Sequence, residues 1–325
     1  MSIFQTTYAR IRRNWNAYWF SKESVTGLAL FRIVFGILVL VFHLTSFFNF
    51  RFPELFSEAG FLWTRQPASW LPFVPSISFS SAYMLALLLL VATVMVIIGF
   101  KTRYAAGVAF IIHTYLVLAE NVYNDNITST VSVYFFLLMF SHAGKFLSLD
   151  AWLRHRSWIP KPTPSAPATI RKLMIWQLAI MYISNAMMKV AHGFSDWASG
   201  NLMIRALQDP TWASWWAWSV VSNFEGPFRL MTQIGFFAFL FLGIGLLFRK
   251  TRPIAAVFGL SWHWVSLLLT RIPSVWLIWV SPYILLVEPK IWDRYLTSLR
   301  SGKISRKAFI IGGLFFGLLL ATMIF

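Results

Sequence analysis

The chain has 325 residues, of which 58% are hydrophobic and 12% are charged, about half the charged fraction of a soluble domain. This composition excludes an ordinary soluble protein and indicates a polytopic membrane protein. The net charge of +17 does not indicate nucleic-acid binding, because the basic residues lie between apolar runs, a pattern that sets membrane orientation. The sequence contains no cysteine, which excludes disulfides, thiolate nucleophiles and cysteine-ligated metal sites.

The polar and basic residues 1–25 are predicted to form a cytoplasmic segment, and residues 26–325 a single transmembrane domain. Within this domain, apolar runs of membrane-spanning length occur at nine places, with eight spans as the alternative. The runs are 26–48, 80–100, 104–120, 127–146, 170–190, 228–248, 253–270, 274–288 and 308–325. The sequence therefore predicts an all-α transmembrane helix bundle of about nine spans.

Two features organise this predicted bundle. Placing the N-terminus in the cytoplasm puts most of the 28 Lys and Arg residues on the inner side, which predicts that orientation. The Pro-rich segment 158–169 is predicted to be an extended inner loop that joins two halves of the domain. The eighth run is short and contains Pro282, which indicates a kink or a partly re-entrant segment.

Lys189 closes the apolar run of the fifth predicted span, where a charge in lipid costs about 2.5–3.5 kcal/mol. Because residues three and four apart share a helix face, Tyr182, Asn185 and Lys189 are predicted to line up. One interpretation is a base or a binding group in a cavity that opens to the outer face. The other is that the side chain extends to the outer headgroups.

Other polar residues are candidates for a shared site. The predicted outer turn after the third span contains Glu120, Asn124 and Asn126, which either bind a polar substrate group or form an ordinary polar turn. His263 lies near the middle of the seventh predicted span, where it is either catalytic or a hydrogen-bonded core residue. Arg32, with Gly36 one turn later, is predicted to be structural, since glycine permits close helix approach.

Several kinds of chemistry have no supporting pattern. No two histidines stand three or four residues apart, so no protein-built metal site is predicted. The sequence has no Gly-rich phosphate loop, no Ser-His-Asp candidate set and no paired catalytic carboxylates. Hydrolase and nucleotide-driven functions are therefore not indicated.

Three segments together carry a family resemblance. Ala-Leu-Phe-Arg-Ile-Val-Phe-Gly at 29–36 resembles the opening of the HTTM domain, the membrane domain shared with vitamin K-dependent gamma-carboxylase. Ala-Met-Met-Lys-Val at 186–190, followed by Asp196, Trp197 and Gly200, is similar to that family's Lys-Leu…Asp-Trp…Gly segment. His263, with the Arg-Ile-Pro at 271–273, resembles the late His…Pro helix pair. The resemblance extends from about residue 24 to residue 295, and among its branches the chain is similar to the bacterial SdpB-like proteins.

The resemblance implies a chemistry. In the carboxylase, the lysine that matches Lys189 is the base that starts oxygenation of reduced vitamin K, so the resemblance implies a reduced quinone, menaquinone- or vitamin K-like, as cofactor. It also implies a quinol-dependent oxygenase or carboxylase-like lyase with Lys189 as the base. In this hypothesis His263 is also catalytic, and the residues that bind substrate include Tyr182, Asn185, Asp196 and Trp197. Trp197 is expected to close the cavity with Asp196, and Gly200 to be structural.

The first functional hypothesis is accordingly a protein of the bacterial plasma membrane that matures or modifies a secreted peptide, with an accessory subunit as a further expected partner. The alternative is a non-catalytic chaperone or immunity protein that binds a hydrophobic peptide between its helices, where Lys189 pairs with an acidic group. A transporter is the third hypothesis, and it is less well supported because transporters more often bury several charges near the middle of the membrane.

Overall fold

The protein is described by a computed structural model that covers residues 3–48, 78–119, 126–209, 213–214, 216–270 and 273–300. The described part of the chain is mainly helical and forms two compact units. Of the described residues, the first contains 3–174 and 287–300, and the second contains Ile175–Leu286.

The first unit contains most of the secondary structure. Its elements are α1 (Ile3–Phe20), β1 (Lys22–Ser24), α2 (Thr26–Phe48), α3 (Phe79–Ile98), α4 (Thr102–Ala119), α5 (Asn126–Met139), a 3-10 turn (Ala143–Lys145), α6 (Leu149–His155), β2 (Ser165–Pro167) and α13 (Pro289–Arg300). The helix α7 (Thr169–Ala198) begins in this unit and continues into the second.

The second unit is built around the rest of α7. Its further elements are α8 (Asn201–Gln208), α9 (Ala217–Asn223), α10 (Glu225–Gly245), α11 (Arg252–Leu269), α12 (Pro273–Val280) and a 3-10 helix (Ser281–Leu286). The last two elements replace the eighth predicted span. The α-helical geometry stops at Val280, immediately before Ser281 and Pro282.

Five helices in the described residues are long and apolar enough to cross a membrane. They are α2, α3, α4, α7 and α10. Three further predicted spans correspond to α5, to α11 and to the shorter apolar stretch Leu277–Leu286. The predicted span 308–325 lies outside the described residues, so the number of nine spans remains a prediction. The cytoplasmic location of the N-terminus also remains a prediction.

Two boundaries differ from the predicted ones. α5 ends at Met139, short of the predicted 146, because Phe140 and Ser141 bond three residues back and begin a turn. α7 continues beyond the predicted end at 190 as far as Ala198. The helix stops there because Gly200 has a φ of +79°, a left-handed conformation that glycine adopts without steric cost.

The structure also contains one short antiparallel pair of strands, which the all-α prediction did not include. β1 pairs with β2, and β2 lies in the predicted Pro-rich inner loop. Proline favours extended backbone, which suits a strand. The Pro164 carbonyl oxygen next to β2 accepts a hydrogen bond of 3.1 Å from the Val25 amide, just before α2. Arg171 reinforces the pair by donating two hydrogen bonds, of 2.5 and 2.9 Å, to the Glu23 carboxylate.

Arg32 holds the first unit together from within. Its side chain is fully buried, and its guanidinium donates hydrogen bonds to the carbonyl oxygens of Val96 (2.7 Å), Ile97 (2.9 Å) and Leu147 (2.5 Å). Two of these carbonyls belong to the last turn of α3, and that of Val96 also accepts a hydrogen bond of 3.2 Å from the Gly99 amide. These contacts join α2 to the end of α3 and to Leu147, and the predicted structural role of Arg32 stays a prediction.

Gly36 allows α2 and α3 to approach each other. A Cβ atom at this position would lie 2.7 Å from Ile97 Cγ1, closer than real side chains pack. On the other side of α2, Phe31 and Phe35 pack against Tyr134 of α5, with ring centroids 5.4 and 5.6 Å apart. The first unit thus has an aromatic core between α2 and α5.

We expect Arg32→Ala to destabilise the protein by about 3–5 kcal/mol, because the substitution leaves buried carbonyl groups without donors. Arg32→Lys should recover only part of this loss, since one ammonium does not reproduce the planar guanidinium. Both effects can be measured by thermal unfolding in detergent, with the loss of the monodisperse chromatographic peak as the readout. Arg12→Ala in the exposed part of α1 is the control, and equal stability of Arg12→Ala and Arg32→Ala would contradict this role.

Candidate functional site

One continuous helix carries the three residues that the sequence placed on a common face. α7 includes Tyr182, Asn185 and Lys189 without interruption. Tyr182 is fully buried, whereas Asn185 and Lys189 are partly buried. The helix runs on for nine residues after Lys189 (198 − 189), so the lysine lies at the end of the apolar stretch but not at the end of the helix.

The Tyr182 hydroxyl is the centre of a buried hydrogen-bonded group. Its Oη lies 2.5 Å from His263 Nε2 on α11 and 2.7 Å from the Tyr283 hydroxyl in the 3-10 helix. One hydroxyl can donate one of these bonds and accept the other, so a neutral imidazole fits a chain in which Tyr283 donates to Tyr182 and Tyr182 donates to His263. Two residues that the sequence singled out separately, Tyr182 and His263, are therefore in direct contact.

Aromatic rings surround this group and separate it from solvent. The Trp279 ring is perpendicular to Tyr182, with centroids 6.3 Å apart, and nearly perpendicular to His263 at 6.0 Å. Phe239 of α10 lies 5.8 Å from the Tyr182 ring. Because hydrogen bonds between buried groups are poorly screened, this arrangement holds the three polar side chains in fixed positions.

Lys189 is connected to the same group through Phe239. Its Nζ lies 4.5 Å from the centroid of the Phe239 ring, within the range of a cation–π interaction. Among the described residues, no carboxylate lies within ion-pair distance of this amine. Lys189 thus presents an amine that a ring face stabilises when it is protonated and that no described acid neutralises.

Asn185 lies between Tyr182 and Lys189 along the helix. Its Nδ2 donates a hydrogen bond of 2.9 Å to the carbonyl oxygen of Met181 on the same helix. The position therefore agrees with the predicted face, and its predicted role in binding substrate stays a prediction.

Glycine makes the approach of α11 to Tyr283 possible. A Cβ atom on Gly259 would collide with the Tyr283 hydroxyl. A Cβ atom on Gly243 of α10 would likewise lie 2.9 Å from the Ala179 carbonyl oxygen of α7. These small residues let the helix backbones come close, as is typical of helix pairs in membranes.

The end of α7 contacts α8 and α10 through Asp196, Trp197 and Gly200. Asp196 accepts a hydrogen bond of 3.0 Å from Arg205 of α8, and Trp197 Nε1 donates one of 3.1 Å to the Gln233 carbonyl oxygen of α10. A Cβ atom on Gly200 would lie 2.7 Å from Arg229 Cβ. These contacts hold the helix end in place, and the predicted closing of a cavity by Asp196 and Trp197 remains a prediction.

The remaining candidate residues are not brought into the site by the described structure. Glu120 and Asn124 lie outside the described residues, and Asn126 begins α5 but its side chain is not described. Their predicted role in binding substrate therefore stays a prediction. In the described part of the chain, no group of three or more His, Asp or Glu residues could hold a metal ion.

Four residues of the site had no distinctive pattern in the sequence. They are Tyr283, Trp279, Phe239 and Gly259. Each lies in an apolar run that contains many similar residues, so composition and periodicity did not separate them from core residues. A tyrosine directly after Pro282, within a short span, is the signal that could have indicated Tyr283.

We expect Tyr182→Phe to lower the free energy of unfolding by about 1–3 kcal/mol, because it keeps the ring but removes the hydroxyl that bonds His263 and Tyr283. Tyr295→Phe, at a half-exposed position of α13, is the matched control and should change little. Thermal unfolding of the detergent-solubilised proteins measures the difference. If the two variants were equally stable, the buried group would not contribute to the fold.

Comparison with known proteins identifies a family for this chain. No curated protein and no solved structure matches the chain. The family model described as the HTTM domain matches residues 20–294, which include α2 and all described residues of the site. The chain is therefore an integral membrane protein that belongs to the HTTM-domain family.

Proposed function

We propose that this HTTM-family protein acts on a lipid-soluble quinol and uses Lys189 as the base in the maturation or modification of a secreted peptide. The observation that carries this proposal is the placement of the Lys189 amine. It lies on the ring face of Phe239, one contact away from the buried Tyr182–His263 pair, with no carboxylate beside it among the described residues.

The proposed proton transfer involves the Lys189 amine, the Phe239 ring and a hydroxyl group of the bound quinol. The Lys189 amine accepts a proton from a hydroxyl group: an O–H bond breaks, an N–H bond forms, and the amine becomes an ammonium. The negative ring face of Phe239 then stabilises the new positive charge. The amine is neutral before the transfer and positively charged after it. The uncharged Phe239 ring attracts the charged form and therefore favours the transfer.

The surroundings fit a reduced quinone. Phe239 and Trp279 are buried aromatic side chains that pack on Tyr182, and the hydrogen bond from Tyr182 to His263 lies beside them. A reduced quinone supplies the hydroxyl proton and the reducing electrons for oxygenation chemistry. In this proposal the Lys189 amine takes the proton from the quinol hydroxyl.

The peptide substrate is proposed from the resemblance to the SdpB-like branch, and the site of action from the distribution of basic residues. A secreted peptide would reach the base from the outer face of a bacterial plasma membrane, the side that the positive-inside bias predicts for Lys189. An accessory subunit would deliver or release it. The bilayer itself would supply the quinol laterally.

A second function rests on the same amine, which has no carboxylate partner in the described part of the chain. In a non-catalytic chaperone or immunity protein, Lys189 would form an ion pair with an acidic group of a bound peptide. The two functions make different demands on the side chain, because arginine keeps the charge but does not act as a base near neutral pH.

Mass spectrometry of lipid extracts tests the quinol proposal. We expect menaquinone or ubiquinone to co-purify with the wild-type protein and to fall by about tenfold in Lys189→Ala, as the loss of one hydrogen-bonding partner of the quinone is worth about 1.4 kcal/mol. Lys250→Ala, which removes an exposed lysine of the second unit, should retain the quinone. Absence of quinone from all three proteins would contradict the proposal.

Lys189→Arg separates the base from the ion-pair partner. Titration of the purified protein with reduced menadione without oxygen should produce the absorbance of the deprotonated quinol in the wild type. The arginine variant should bind the same compound without this signal. An arginine variant that matched the wild type would exclude Lys189 as the base and favour the peptide-binding function.

A further inference from the structure

A half-open cavity of about 790 Å³ lies in the first unit and is lined by none of the residues of the candidate site. It is formed by the turn between α3 and α4 together with the segment from the end of α5 to α6. Its volume is within the range of small-molecule sites, which is about 300–1,000 Å³. The cavity therefore has room for a polar group much larger than a single ion.

The walls of this cavity are strongly basic. Four cationic side chains line it: Lys101, Arg103, Lys145 and Arg154. In the described part of the chain, none of the four forms an ion pair with a carboxylate. The concentration of unpaired positive charge in one concave surface favours an anionic ligand.

Asp150 is the one acidic residue that lines the described cavity, and its carboxylate is already occupied. Its Oδ1 accepts a hydrogen bond of 3.0 Å from the Lys101 amide, and its Oδ2 accepts one of 3.4 Å from the Thr102 amide. These bonds cap the first turn of α4. The acid therefore orders the turn that carries Lys101, and three net positive charges remain on the walls (four cations and one carboxylate).

Two further observations indicate a built site and not a loose group of surface charges. Arg103 Nε donates a hydrogen bond of 3.1 Å to the Ser141 carbonyl oxygen, and its Nη2 lies 3.0 Å from His142 Nε2, so the guanidinium is held in place. Thr102 also lines the cavity and is buried, and its hydroxyl has no hydrogen-bond partner among the described residues. A buried hydroxyl without a partner is costly, and a ligand oxygen would satisfy it.

The depth of the cavity relative to the membrane is indicated by Tyr104. This tyrosine lines the cavity, yet 77% of its surface is exposed, directly at the start of a helix that is long and apolar enough to cross a membrane. Exposed tyrosine at such a position is typical of the level of lipid headgroups. Headgroups at this level carry phosphate, which arginine and lysine bind through charge-assisted hydrogen bonds.

We propose that this basic cavity binds a phosphate group, supplied either by an anionic lipid headgroup or by a soluble phosphate ester. The site is independent of Lys189 and of any quinol chemistry. It would fix the first unit to the leaflet that its basic residues face, which the sequence predicts to be the cytoplasmic one.

Native mass spectrometry of the full-length protein, expressed in membranes that contain phosphatidylglycerol, tests the lipid source. We expect the wild-type protein to retain phosphatidylglycerol, and the double variant Lys145→Gln/Arg154→Gln to retain roughly tenfold less, since each cation near a charged headgroup contributes to binding. The control Arg12→Gln/Arg13→Gln removes the same charge from exposed positions of α1 and should stay within about twofold of the wild type. The charge-conserving variant Lys145→Arg/Arg154→Lys should also retain the lipid.

Titration with inorganic phosphate, followed by phosphorus NMR line width, distinguishes the two sources. Broadening that depends on Lys145 and Arg154, together with displacement of the lipid, would assign the cavity to a soluble phosphate. Retained lipid that phosphate does not displace would assign it to a headgroup. Equal losses in the cavity variant and the α1 control, or no retention of either ligand by the wild-type protein, would overturn the proposal.

Discussion

A polar group in apolar surroundings must find its partner within the protein, and both units of this chain are organised around one such group. In the first unit, the buried guanidinium of Arg32 satisfies carbonyl groups at the end of α3 and at Leu147. In the second, the Tyr182 hydroxyl joins α7 to His263 and Tyr283. Lipid offers no alternative hydrogen-bond partners, so these contacts determine which helix faces turn inward.

Lys189 differs from these satisfied groups, and the difference is the basis of the functional proposal. Lys189 and Tyr182 lie on the same helix, and both contact Phe239. Among the described residues, the face of the Phe239 ring is the partner of the Lys189 amine. The hydrogen-bonded group of Tyr182, His263 and Tyr283 thus lies next to an amine that has no carboxylate partner among the described residues. Such groups in membranes are typical of functional sites.

The sequence predicted the parts of this arrangement that depend on local pattern. Helical periodicity and an unusual charge placed Tyr182 and Lys189 on one face, and the ends of α2 and α3 agree closely with the predicted runs. It did not predict that His263 bonds Tyr182, nor that Tyr283 completes the group, because those contacts join segments about 80–100 positions apart. The length of α7 and the strand pair were also missed, since both depend on tertiary contacts that override local preference.

Photolabelling with an azido derivative of menaquinone tests the central claim most directly. The purified protein in lipid nanodiscs would be illuminated with the probe, digested and mapped by mass spectrometry. The account predicts labelled peptides from α7, α10 or α11, in the stretches that contain Lys189, Phe239 or His263, and predicts that unmodified menaquinone prevents the labelling. Label confined to the first unit, or label that menaquinone does not reduce, would contradict a quinol site at Lys189.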